Sequence, residues 1–306
     1  MRLRITHETR YDYAPAVEHA LHVVHLKPPS IACQERVDYG LEISPTPAVL
    51  REDVDIYGNV RSFFEISETH ESLIVRATSL VQTETSKPVQ SDITWESARD
   101  TFIYHANAEW HPAAEFVYPS THVHPGSAFA EYARRSFPPG KPFIDAARDL
   151  MHRIHEEFVY STSSTQISTP AAEALANRRG VCQDFSHVML ACLRSLGLPA
   201  RYVSGYLLTQ PPPGMPRLVG SDASHAWVSV YLPDVAASNR GHGWYDLCPT
   251  NHREGWGTPG DDYIRLAVGR DYADISPMRG VVHGSGTHSM SVGVTVEPTQ
   301  AQALSD

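Results

Sequence analysis

The chain of 306 residues is long enough for two domains and at least one sizeable core. Hydrophobic residues at 42% and charged residues at 20% describe a globular protein and exclude a disordered one. Its 35 acidic and 25 basic side chains leave a formal charge of -10, which opposes general binding to nucleic acid or to anionic membranes.

No stretch approaches the roughly 20 apolar residues of a membrane span, no apolar block precedes a small-residue cleavage site, and only four cysteines occur, so a reducing, cytoplasmic location is expected. Met1 leads straight into Arg2-Leu3-Arg4-Ile5, which alternates as a strand does. Residues 1–85 are predicted to form an all-β domain. Leu3/Ile5, Val37/Tyr39/Leu41/Ile43 and Leu73/Val75/Ala77 each alternate with polar neighbours. Gly58-Asn59 supplies a hairpin turn leading into Phe63, Phe64 and Ile66. Several short strands with such turns imply a small sandwich or barrel. Pro88, Pro112, Pro119 and Pro125 interrupt the next stretch, so 86–126 is read as an extended connector.

Helical periodicity begins in the third segment, 127–255. Phe143, Ala147, Leu150, Met151, Ile154 and Phe158 fall on one stripe, with Pro142 near the helix start. Thr169-Pro170 reads as an N-cap followed by proline at the first helical position. Phe185, Val188, Met189, Cys192 and Leu196 define a further helix stopped by Gly197 and Pro199, which places Cys182 in its first turn. Strands are predicted at 201–207, 224–232 and Trp244–Cys248, separated by a 211–214 loop and a 239–243 turn. Residues 256–306 are expected to form strands that pack back on one or both parts, followed by a tail. A helix followed by antiparallel strands makes this segment α+β.

A cysteine in the first turn of a helix has its anion favoured by unpaired backbone N–H groups, and the same groups can hold an oxyanion. Cys182 has that placement, whereas Cys192 lies on the apolar stripe and belongs to the core. His225 is the candidate base. Alternation puts His225 and Trp227 on one strand face, with Ala226, Val228 and Val230 on the other. Trp244, Asp246 and Cys248 share one face of a later strand, and Asp246 is the available carboxylate. The plain alternatives are a buried structural cysteine, a structural strand histidine and an ordinary polar aspartate. Four scattered cysteines without a Cys-x-x-Cys pair fit neither a disulfide scaffold nor a zinc ribbon. No P-loop or dinucleotide fingerprint appears, so no cofactor and no metal are assigned.

Arg179-Gly180-Val181-Cys182-Gln183-Asp184-Phe185-Ser186-His187, then Leu198-Pro199-Ala200-Arg201-Tyr202-Val203-Ser204-Gly205-Tyr206, resembles the nucleophile segment of bacterial transglutaminase-like proteins. Ser224-His225-Ala226-Trp227 and Trp244-Tyr245-Asp246-Leu247-Cys248-Pro249-Thr250-Asn251 resemble that family's histidine and aspartate segments. Gly269-Arg270-Asp271-Tyr272 with Ser276-Pro277-Met278-Arg279-Gly280 is similar to its C-terminal signature, and the opening strands are similar to its N-terminal β region. The resemblance implies a papain-like α+β core beside an N-terminal β-sandwich-like domain. It also implies a Cys-His-Asp triad acting through a thioester on amide bonds of a protein or peptide substrate.

Cys182 and His225 carry over directly, but Cys248 stands where the family's aspartate precedes Pro-Thr. The expectation is that Asp246 orients His225 after a modest strand shift, while Cys248 replaces the usual carboxylate without its charge. Peptide or amide hydrolysis is the expected reaction. Transfer to an amine, as a protein-glutamine transglutaminase, is the alternative, and a catalytically impaired peptide-binding module is the alternative of another class. His187 is expected to be a helix-surface or packing residue, and Tyr160 a buried tyrosine or an oxyanion donor.

Overall fold

The computed structural model describes residues 1–85, 89–106, 110–162, 169–209, 223–238, 242–284 and 286–299. The predicted 211–214 loop, part of the 239–243 turn and Ser285 lie outside them. No helix among the described residues is long and apolar enough to cross a membrane.

The N-terminal part contains β1 (Arg2–Val17), β2 (His19–Val24), β3 (Gln34–Ser44), β4 (Val49–Val54), β5 (Val60–Ile66) and β6 (His70–Thr83). Two strands from the far end of the chain, β14 (Met278–His283) and β15 (Thr287–Pro298), complete two four-stranded sheets. Their orders are β15-β1-β6-β3 and β14-β2-β5-β4, antiparallel throughout. Alternation sends Tyr13, Val17, Ala20, Val24, Phe64, Ile66, Leu73, Val75 and Ala77 into one core between them. The β4–β5 turn needs a left-handed residue, which Gly58 supplies at φ +83°. Asp55 Oδ1 accepts the N–H groups of Tyr57 and Asn59, each at 2.9 Å, and closes the turn.

The connector is not extended throughout. It contains α1 (Trp95–Asp100), capped by Thr94 Oγ1 accepting from Ser97 N–H, and a 3-10 turn at Pro112–Val117. Proline at the first helical position loses no hydrogen bond, so Pro112 opens that turn and does not interrupt it.

The second part contains α2 (Ser127–Arg134), α3 (Phe143–Glu157), β7 (Val159–Tyr160), α4 (Ala171–Asn177), β8 (Arg179–Gly180) and α5 (Cys182–Ser195). It continues with β9 (Ala200–Leu207), β10 (Ser224–Tyr231), α6 (Pro233–Ser238), β11 (Trp244–Cys248), β12 (Arg253–Trp256), β13 (Tyr263–Gly269) and α7 (Tyr272–Ile275). The residue capping α4 is Pro170, one later than the Thr169 expected. Five antiparallel strands form a sheet in the order β12-β11-β10-β9-β13. α5 packs on one face, where Val188, Met189 and Cys192 share a core with Tyr202, Ala226, Val228, Val230 and Leu247.

The other side of this sheet meets the β sandwich. Leu3, Ile5, Val81, Val294 and Val296 pack with Tyr206, Ile264 and Leu266. β13 is an edge strand, and two side-chain amides take up its backbone groups. Asn59 donates to Val268 O at 2.7 Å and accepts from Val268 N at 2.8 Å. Gln34 donates to Arg265 O at 2.9 Å and accepts from Arg265 N at 2.7 Å. The C-terminal strands therefore divide between both parts: β13 extends the five-stranded sheet, while β14 and β15 finish the sandwich.

Candidate active site

Cys182 is the first residue of α5, after the cap residue Val181. Asp184 Oδ2 accepts the Val181 N–H at 2.8 Å and Ser186 Oγ donates to Cys182 O at 2.8 Å, which fixes the first turn. Gly180 allows this, since a Cβ there would lie 2.6 Å from Asp184 Cβ. The sulfur faces β10, because the N–H of Ala226, directly after His225, interacts with it together with the N–H of Gln183. Burial nevertheless pushes the Cys182 thiol up to about 12, outweighing both N–H groups. Desolvation thus works against the pull of the helix terminus, on which the expectation of an ionised sulfur rests.

His225 opens β10 and is buried, 8% exposed. Burial lowers its pKa to about 4, so the imidazole is neutral at pH 7. Its Nε2 lies 3.1 Å from Cys248 Sγ and 3.4 Å from Asn251 Nδ2. Trp227 and Tyr263 flank the ring, with centroids at 6.2 and 5.6 Å and planes inclined by 28° and 67°.

Asp246 does not take the place expected for it. It is fully buried, and its Oδ2 accepts the Trp227 indole N–H at 3.0 Å. The β10–β11 register explains the difference. Asp246 lies opposite Ser229 and Leu247 opposite Val228, so Cys248 is the β11 residue that reaches back toward the start of β10. Asp246 would need a two-residue slip, about 7 Å along the strand, to take that place, against the pairing of β11 with both of its neighbours. Burial raises the Asp246 carboxyl above its ordinary value, while Arg201, Ser229, Trp227 and Arg265 act against the rise.

Cys248 sits among donors. Burial raises its thiol, and the Tyr263 hydroxyl and the N–H groups of Asn251 and Thr250 oppose that. Asn251 Nδ2 in turn donates to the Tyr263 hydroxyl at 2.8 Å. Asn251 and Tyr263 are not among the residues expected at the site. Asn251 follows the Pro-Thr pair directly, a signal available in the sequence, whereas Tyr263 reads as an apolar strand residue.

His187 is 1% exposed, accepts the Tyr272 N–H at 3.3 Å and stacks on His122, with its pKa lowered by burial to about 3; it is a packing residue. Tyr160 is half exposed on β7, beside Gly180 of β8.

Two family models match the chain. One, described as the bacterial transglutaminase-like N-terminal region, matches residues 3–82, and the other, the transglutaminase-like superfamily, matches residues 130–249. An uncharacterized protein of Mycobacterium tuberculosis is 38% identical over 311 residues, covering 99% of this chain and 95% of the relative. Another, of Mycobacterium leprae, is 30% identical over 298 residues, covering 96% of this chain and 98% of the relative. A protein-glutamine gamma-glutamyltransferase of Pseudomonas aeruginosa is 30% identical over 99 residues, 31% of this chain and 14% of that protein. The structure of a "Putative Cysteine Protease" from Cytophaga hutchinsonii superposes with a TM-score of 0.70 at 20% identity, covering 99% of this chain and 92% of that one.

Proposed function

The chain belongs to the transglutaminase-like superfamily, and from that premise we propose that it is a cysteine-dependent acyl-transfer enzyme that opens amide bonds through a thioester. One observation carries the reading: the Cys182 sulfur, on the first residue of α5, meets the N–H of the residue that follows His225. A nucleophile and a base are thereby brought to one strand end.

Both groups start neutral. A neutral imidazole is competent as a base, so His225 takes the thiol proton as sulfur attacks the amide carbonyl. The Cys182 N–H, in the first turn of α5, supports the oxyanion. The amine leaves with the proton from His225. Water, deprotonated by the same ring, then cleaves the thioester to give the acid and the free thiol.

The nitrogen that works as base is set by the other one. Nε2 faces Cys248, so Nδ1 is left for the reacting proton, and this requires Nε2 to carry hydrogen and donate to the sulfur. The donors around Cys248 favour a sulfur that accepts. Hydrolysis is the favoured outcome because water needs no dedicated amine site. The name of the Pseudomonas relative supports an amine acceptor as the second reading.

The test incubates wild-type and Cys182→Ala protein with peptide libraries, with and without primary amines, and identifies products by mass. Cys182-dependent cleavage or deamidation supports hydrolysis, cross-linking or amine incorporation supports transfer, and products independent of Cys182 overturn the reading.

A further inference from the structure

Asp246 is a buried carboxylate that touches neither Cys182 nor His225, yet its contacts lead back to the base. Its Oδ2 holds the Trp227 indole N–H at 3.0 Å. Trp227 lies on the same strand face as His225, two residues on, with ring planes only 28° apart. The indole is confined on its other sides. Tyr263 meets it edge-on at 5.5 Å and 89°. Gly205, opposite His225 on β9, makes room for it, since a Cβ there would lie 2.5 Å from Trp227 Cη2. A fully buried tryptophan held by packing alone can still rock in its plane, and a hydrogen bond at its nitrogen removes that freedom.

Resting on the acyl-transfer reading above, we infer that Asp246 is a positioning residue that acts on His225 at one remove: it locks the Trp227 indole, and the indole sets the imidazole plane against Cys182 and Cys248. The carboxylate orients the base without touching it. Displacement of a catalytic group by about 1 Å costs on the order of a hundredfold in rate, so loss of one wall of the ring's enclosure has a measurable effect.

The role depends on acceptance of a hydrogen bond, which an asparagine oxygen also provides. The experiment compares Asp246→Ala, Asp246→Asn, Trp227→Phe and the Asp246→Ala/Trp227→Phe double variant in two readouts. The first is the long-range proton–nitrogen NMR signal of the His225 ring in histidine-labelled protein, which needs no substrate. It is expected to stay sharp in wild type and Asp246→Asn, and to broaden or shift in Asp246→Ala and Trp227→Phe.

The second readout is turnover. Asp246→Ala and Trp227→Phe should each lower kcat about tenfold with KM within about twofold, Asp246→Asn should retain most of it, and the double variant should be no worse than either single. If Asp246→Ala does not fold, Trp227→Phe and Asp246→Asn carry the comparison. An unchanged His225 signal in Trp227→Phe overturns the inference, and so do additive losses in the double variant. Absence of Cys182-dependent turnover in wild type overturns the acyl-transfer reading instead, and the NMR arm still decides the role of Asp246.

Discussion

At the scale of single residues, His225, the proposed base, faces a sulfur where a carboxylate would hold it more firmly. A carboxylate accepts only, and so fixes the proton on Nε2. A thiol can also donate, which places the ring proton on Nδ1 and blocks the base. Cys248→Asp should therefore raise turnover, on the order of tenfold or more, and the donors from Tyr263, Thr250 and Asn251 are already placed to receive the new charge. It should also move the acid limb of kcat/KM. In the wild-type protein burial lowers His225 to about 4, so the proposed activity should persist as pH falls through 6.5 and be lost only on approaching 4. A carboxylate at Nε2 stabilises imidazolium and shifts that limb upward. A pH–rate profile of the two proteins checks both statements, and a wild-type limb at 6.5 contradicts them.

At the scale of elements, α5 was legible because its apolar stripe and Gly197 stop are local signals, and Gly197 indeed takes φ +77°. The faces of β10 and β11 were legible from alternation. Their mutual register was not, because period two gives which side a residue points to but not which partner it meets. That is why Asp246 was expected at His225, where Cys248 stands. α1 was hidden because its cap, Thr94 with Ser97, lies in a proline-interrupted stretch. The upward push on the Cys182 thiol was illegible as well, since the helix start is written in the sequence but the desolvation of the sulfur depends on packing. The β13 edge carries a prediction of its own. Asn59→Ala leaves the buried N–H and C=O of Val268 without their side-chain partner and should cost about 2 kcal/mol, read from urea unfolding. A midpoint unchanged from wild type contradicts that role.

At the scale of the molecule, the sandwich and the α+β core form one hydrogen-bonded body, because chain from both ends builds the sandwich and its side chains clamp the core sheet. Buried histidines are distributed through it. His7, His22 and His225 are lowered by burial to about 4 and His187 to about 3. Each binds its proton more readily in the unfolded chain, so each contributes its full stability above pH 6.5 and loses it as pH falls toward its folded value. The loss is on the order of 1 to 3 kcal/mol per group, a large share of the stability of an ordinary domain. Calorimetry should show the unfolding temperature dropping steeply between pH 6.5 and 4, and a flat profile there contradicts the neutral burial of these rings.

Cys182 and His225 are proposed to act as a neutral acid–base pair, and the most direct measurement of this is the rate of iodoacetamide labelling at Cys182, located by peptide mass, at pH 7. Wild type should label at least about tenfold faster than His225→Ala, with the rate still rising above pH 9 because the thiol itself ionises late. Equal rates in the two proteins would contradict the assignment of His225 as the base.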